Sequence, residues 1–162
     1  MPRGLGAAVV RIVPIALLLA GCVTEVQREP GPPRADERAA VSLTLRSDRA
    51  EYTVGQPVEL VLEMINRGRT PVSMSVPTSQ LYDFTVRRDG TEIWRWSEGK
   101  LFATQVTDVV LGPGQTGLYK VVWDAKGRDG RPIGPGRYVA TGVWLGGQQM
   151  GLQPLSLPIT VR

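Results

Sequence analysis

The sequence predicts an all-β fold, an immunoglobulin-like antiparallel β-sandwich of eight or nine strands. Three observations carry that expectation. From Val41 onward, apolar and polar residues alternate with a period of two. Breaks rich in glycine and proline interrupt the alternation about every eight to twelve residues, the spacing of a sandwich. No stretch holds a helical period.

The elements follow in order. VSLTLR (41–46) sets Val41, Leu43 and Leu45 against Ser42, Thr44 and Arg46. PVELVLEMIN (57–66) has one apolar face, Val58, Leu60, Leu62 and Met64, and one mixed face. TPVSMSV (70–76) and YDFTVRR (82–88) repeat the pattern with Val72, Met74, Val76 and with Tyr82, Phe84, Val86. Asp89-Gly90 makes a tight hairpin turn into TEIWRW (91–96). TQVTDVVL (104–111), GLYKVVW (117–123), RYVATGVWL (137–145) and LSLPITV (155–161) complete nine candidate strands. The breaks between the last four are GPGQ, DAKGRDGRPIGPG and GGQQMG, which carry the residues that turn chemistry requires.

The first 21 residues predict a lipoprotein signal peptide. Arg3 and Arg11 precede an apolar run, Ile12 to Ala20, that falls short of the ~20 residues needed to span a bilayer. Leu19-Ala20-Gly21-Cys22 is similar to the lipobox at which bacterial lipoproteins are diacylated and cleaved, so Cys22 is the expected lipid attachment point. Two acyl chains suffice for stable anchoring where one does not. Residue 23 is valine, and the aspartate associated with inner-membrane retention is absent, which favours the outer membrane, facing the periplasm, in a two-membrane cell. Residues 22–40 continue as a tether; its stretch 23–40 holds three prolines, three arginines and four acids. Eighteen such residues reach roughly 20–25 Å on average. The folded domain is thus expected over 41–162.

Composition excludes several function classes. There is no histidine and one cysteine, so His-dependent nucleophilic triads and Cys/His zinc sites are impossible. No catalytic residues, cofactor or metal are expected. Residues 41–162 carry 14 basic and 11 acidic side chains, mostly interspersed, which is a solvated surface and no phosphate-binding stripe. Nucleic acid is therefore not an expected partner.

Two longer motifs go beyond fold class. YDFTVRRDGTEIWRWSEGKLF (82–102) holds Tyr82, Asp83, Phe84, Trp94 and Trp96; LGPGQTGLYKVVWDAKGRDGRPIGPGRYVATGVW (111–144) holds Trp123, Asp124, Pro135, Gly136 and Tyr138. In this order they resemble the family of BsuPI-related proteinase inhibitors, and the resemblance covers about 41–162. It implies an immunoglobulin-like domain that binds a serine protease, with these ten residues as structural family motif. The second motif also resembles the immunoglobulin-like domain of the flagellar hook-cap protein. The family is named for an intracellular bacillary inhibitor, whereas the leader here implies export.

Alternation sends Trp94 and Trp96 to one sheet face, toward the core or its rim, and Arg95 to the other. Asp124 is expected to accept backbone N–H bonds and shape the loop after Trp123, with Gly130, Pro135 and Gly136 setting its backbone angles. Asp124 and Asp129 lack the pattern of a calcium loop. Loop 124–136 is the first candidate for partner binding, through Arg128, Asp129 and Arg131, where either arginine suits a trypsin-like pocket. SEGKLF (97–102) is the second. Two functions from different classes follow: a lipid-anchored proteinase inhibitor, or a structural interaction domain of the envelope that inhibits nothing.

Overall fold

The computed structural model describes residues 40–162; the leader, Cys22 and the tether to residue 39 lie outside the described residues. The described residues form ten strands: β1 (Val41–Ser47), β2 (Glu51–Tyr52), β3 (Val58–Asn66), β4 (Val72–Val76), β5 (Tyr82–Arg88), β6 (Thr91–Arg95), β7 (Thr107–Leu111), β8 (Thr116–Trp123), β9 (Gly136–Trp144) and β10 (Leu155–Val161). They form sheets of order β1-β3-β8, β2-β10-β9-β5-β6 and β4-β7. Every pair is antiparallel except the two-residue strand β2, which runs parallel to β10. The fold is the all-β sandwich that the alternation predicts. Ala40, assigned to the tether, already belongs to it: its carbonyl accepts the Arg67 N–H at 2.7 Å.

Prolines set several boundaries. A proline has no N–H to give to a ladder, so it is confined to strand ends and unpaired edges. β3 begins just after Pro57, and β4 runs between Pro71 and Pro77. The β4–β7 ladder ends at Val76 opposite Thr107, because Pro77 has no donor with which to extend it. Residues 104–106, which alternate as a strand would, consequently stay in a loop. Two further elements depart from expectation. β2 is too short to leave a periodic signal, and Leu145–Met150 (LGGQQM) forms a 3-10 helix where a turn was expected.

The core lies between the three-stranded and five-stranded sheets. Leu60, Leu62 and Met64 of β3 pack with Phe84 and Val86 of β5 and with Tyr138, Ala140 and Trp144 of β9, all buried. Trp123 at the end of β8 is fully buried, and its indole N–H donates to the Lys126 carbonyl at 2.9 Å. The two sheets approach each other closely at Gly142 of β9. A Cβ there would lie 3.1 Å from Leu45 Cδ1 and 3.4 Å from both Leu62 Cδ1 and Phe84 Cε1. The first two belong to the opposite sheet, so Gly142 sets the local separation of the layers.

Gly142→Val should therefore overpack the core and cost about 1–3 kcal/mol. The measurement is urea unfolding, with a lower midpoint and an unchanged slope expected; an unchanged midpoint would show that the layers have room to spare.

Candidate partner-binding surface

One buried carboxylate organises the region around the first motif. Asp83, on β5, is 4 % exposed and accepts four hydrogen bonds. Oδ1 takes the N–H of Phe84 at 2.9 Å and of Ser97 at 3.2 Å; Oδ2 takes the Ser97 hydroxyl at 2.8 Å and Arg95 Nη1 at 2.9 Å. A buried charge is tolerated only when its lone pairs are filled in this way. Ser97 follows the end of β6 directly, so Asp83 fixes where the chain leaves the sheet.

The partner of Arg95 depends on a β-bulge. In the β5–β6 ladder Thr85 faces Arg95 and Val86 faces Trp94, but Arg87 faces Glu92, which leaves Ile93 without an opposite number. Strict alternation would put Glu92 on the Trp94 side. The extra residue transfers it to the Arg95 side. Arg95 then grips Glu92 with two bonds, Nε to Oε1 at 3.1 Å and Nη2 to Oε2 at 2.9 Å. Hydrogen bonding to Arg95 holds the Glu92 carboxyl below its ordinary pKa, against burial, which acts to raise it.

Glu92 also receives Arg128 from the second motif. Arg128 Nη2 donates to Glu92 Oε1 at 2.7 Å, and its Nε to Glu98 Oε2 at 3.2 Å. The two candidate binding segments, 97–102 and 124–136, are thereby tied together. Arg128 makes this bridge with a side chain that stays half exposed.

Loop 124–136 is braced at both ends. Ile133 N–H donates to the Ala125 carbonyl at 2.9 Å and Gly127 N–H to the Arg131 carbonyl at 3.0 Å. At the far end the Tyr138 hydroxyl donates to the Gly134 carbonyl at 2.7 Å, while Arg88 reaches Tyr138 Oη at 3.1 Å and the Pro135 carbonyl at 3.3 Å. Gly136, at φ 153, lets the Arg88 guanidinium lie against the backbone, 3.2 Å from where a Cβ would stand. The expected role of Asp124 needs correcting. Its exposed carboxylate pairs with Lys126 Nζ at 3.0 Å, and no backbone N–H among the described residues reaches it. Asp129 does that work, accepting the Arg131 N–H at 3.1 Å. The Trp123 indole bond to Lys126 closes the turn that Asp124 was expected to close. Asp129 and Arg131 line a cleft of about 270 Å³ together with Arg88, Ile93, Ile133 and Tyr138.

Trp94 and Trp96 are half-buried and each has an intramolecular neighbour. Trp94 lies 6.2 Å from Trp123, centroid to centroid. Trp96 lies 4.3 Å from Tyr82 and 5.8 Å from Phe102, and Lys100 Nζ sits 5.0 Å from its centre. Tyr82 in turn stacks on Tyr119 at 4.4 Å. Phe84, Trp123 and Tyr138 are fully buried, and Asp83 nearly so.

The family model described as BsuPI, intracellular proteinase inhibitor, matches residues 45–149, a span that holds both loops and the whole Asp83 network. The chain belongs to the BsuPI family. No curated protein matches the chain. Among solved structures, the BsuPI chain is similar to a β-glucosidase, EmGH1, from Erythrobacter marinus, at 14% identity, TM-score 0.45, over 75% of this chain and 15% of that one. The alkylpurine DNA glycosylase AlkC of Pseudomonas fluorescens gives 16% identity and TM-score 0.45 over 76% and 30%. The CARDB domain of the PF1109 protein of Pyrococcus furiosus gives 16% and 0.40 over 75% and 87%. The chain thus spans less than a third of the first two proteins, and at these low scores shared chemistry does not follow. Among the described residues, no group of three or more His, Cys, Asp or Glu side chains is placed to hold a metal ion.

Sequence reasoning did not single out Glu92 or Arg95 for this network, and it reached Glu98 only as part of segment 97–102. Their signal was present in the charge sequence, but the bulge that brings Glu92 to Arg95 leaves no mark in it. Asp83→Asn should cost about 1–3 kcal/mol by leaving donors unmatched, with faster amide exchange at Ser97; exchange no faster than in the parent would place the anchor elsewhere. The pH dependence has a defined sign. A folded pKa depressed below the unfolded value of about 4.3 stabilises the fold at neutral pH, and that stability is lost as pH falls from there through the folded value. Glu92→Gln should flatten the acid limb of stability against pH, measured by urea unfolding at stepped pH.

Proposed function

We propose that this BsuPI domain is a non-enzymatic proteinase inhibitor that acts by protein–protein binding, carried at the cell envelope by a lipid on Cys22. Family membership supports inhibition. The observation that carries the mode of action is the Arg128 bridge to Glu92 and Glu98, which joins segments 97–102 and 124–136 into one braced surface. Binding residues on sandwich domains sit on such loops. Ordering them before the encounter lowers the conformational entropy lost on binding. The absence of histidine removes His-dependent hydrolysis.

Anchoring rests on the leader, the Leu19-Ala20-Gly21-Cys22 tetrad and the proline-rich tether. The family model is described as intracellular. A chain delivered by this leader would meet its proteinase outside the cytoplasm.

Residues 40–162, purified and shown folded by circular dichroism, should inhibit at least one proteinase of a panel of subtilisin-like, chymotrypsin-like and trypsin-like enzymes at micromolar concentration. A folded domain that slows none of them is an interaction domain, and the inhibitor proposal fails. For anchoring, the parent chain should fractionate with membranes and Cys22→Ala should move it to the soluble fraction. Membrane partition unaltered by the substitution would overturn the lipid assignment.

A further inference from the structure

We infer that Leu101 is the side chain that enters the proteinase's specificity pocket, and hence that the target has a large apolar pocket. The inference rests on the inhibitor function proposed above and adds the segment, the residue and the class of enzyme.

A single exposed leucine is ordinary on a protein surface. The setting of Leu101 is not. It is 101% exposed, more than any other large apolar residue among those described. Its two neighbours are both engaged, and by the same ring: Lys100 Nζ lies 5.0 Å from the centre of Trp96, and the Phe102 ring 5.8 Å from it. In an extended chain, residues i−1 and i+1 point to one side and residue i to the other. With Lys100 and Phe102 both turned to Trp96, Leu101 is turned outward.

The backbone on either side is pinned as well. Lys100 N–H donates to the Ser97 carbonyl at 3.1 Å, and Ser97 is held by Asp83. Gly99, at φ 73, makes that turn without steric cost. On the far side Ala103 N–H donates to Ser79 Oγ at 2.8 Å, and its carbonyl accepts the Ser79 N–H at 3.0 Å and Thr78 Oγ1 at 3.3 Å. Between these fixed points, residues 100–104 lie in no strand or helix. A short segment outside strand and helix, held at both ends and presenting one side chain to solvent, can offer that side chain to a proteinase cleft.

The side chain selects the enzyme class. Leucine fits an apolar pocket and offers nothing to the carboxylate of a trypsin-like one. Arg128, which would suit that carboxylate, is already engaged by Glu92 and Glu98, whereas the Leu101 side chain is fully exposed.

The test uses the chain without truncation, as purified from its expression host, and its inhibition constants against subtilisin-like, chymotrypsin-like and trypsin-like proteinases. The parent should inhibit an enzyme with an apolar pocket and spare the trypsin-like one. Leu101→Ala should weaken inhibition roughly 30-fold or more, the loss expected on truncating a central anchor. Leu101→Arg should transfer inhibition toward the trypsin-like enzyme. Both variants should keep the parent's urea midpoint, because the side chain packs against nothing. A parent that inhibits, with Leu101→Ala equally potent, would overturn Leu101 and leave the inhibitor function standing. Inhibition of the trypsin-like enzyme that disappears in Arg131→Ala would also overturn it, in favour of the other loop. A parent that inhibits nothing removes both.

Discussion

The buried carboxylate of Asp83 is the constraint on which the outer half of this domain depends. A chain leaving an edge strand is free to wander, since nothing on its open side pairs with it. Here four donors converge on one side chain, two of them from Ser97. Fixing Ser97 fixes Trp96 one residue earlier, whose N–H donates to the Phe84 carbonyl at 2.8 Å. Trp96 can then serve as the seat on which Lys100 and Phe102 rest. The anchor works because it is dry: in water each of those bonds would trade evenly with solvent, whereas a buried acceptor left unfilled carries the full desolvation penalty.

The ion pairs around it have a different role. Arg95, Arg128 and Glu98 are all about half exposed, with side-chain exposures of 41%, 50% and 52%. Pairs in such surroundings contribute between nothing and about 1 kcal/mol each to stability. Their value lies in geometry. Arg95 meets Glu92 through two parallel bonds, which fixes direction as well as distance. Glu92 then offers an oxygen to Arg128, so a loop more than thirty residues away in sequence is registered against the first one. The chain Asp83–Arg95–Glu92–Arg128–Glu98 converts one buried anchor into the relative placement of two loops. Screening by salt acts on this outer part of the network and spares the inner one.

Much of the scaffold was legible because its signals are local. Period-two alternation located nine strands, and proline and glycine marked most of their ends. The failures share a cause: they depend on a partner distant in sequence. The bulge at Ile93 is set by the β5 register, and TEIWRW alternates no differently with or without it. Residues 104–106 read as strand until Pro77, on β4's side, withholds its donor. GGQQMG reads as a turn, although the 3-10 helix there buries Gly146, Gly147 and Met150. Asp124 and Asp129 occupy equally plausible loop positions, and only the path of the loop assigns the backbone bond to Asp129. Segment 97–102 reads as a candidate for partner binding, but nothing local in it says which of Leu101 and Phe102 faces solvent. That one ring lands on Trp96 and the other side chain on nothing is a tertiary fact.

The direction of the strands bears on how an anchored domain would work. Ala40 and Val41 lie beside Asn66 and Arg67, at the end of the sheet where β8 begins, since Thr116 pairs with Ile65. Trp123 pairs with Val58 at the other end, and loop 124–136 follows directly. The eight residues of β8 separate these ends by roughly 25 Å at the rise of a strand. A tether entering at Ala40 from a lipid on Cys22, as proposed, would therefore attach on the side away from loop 124–136. The loop would face outward from the membrane, where a proteinase approaches. The same layout makes tether length secondary for this loop: the domain itself provides a standoff comparable to the average reach of the tether.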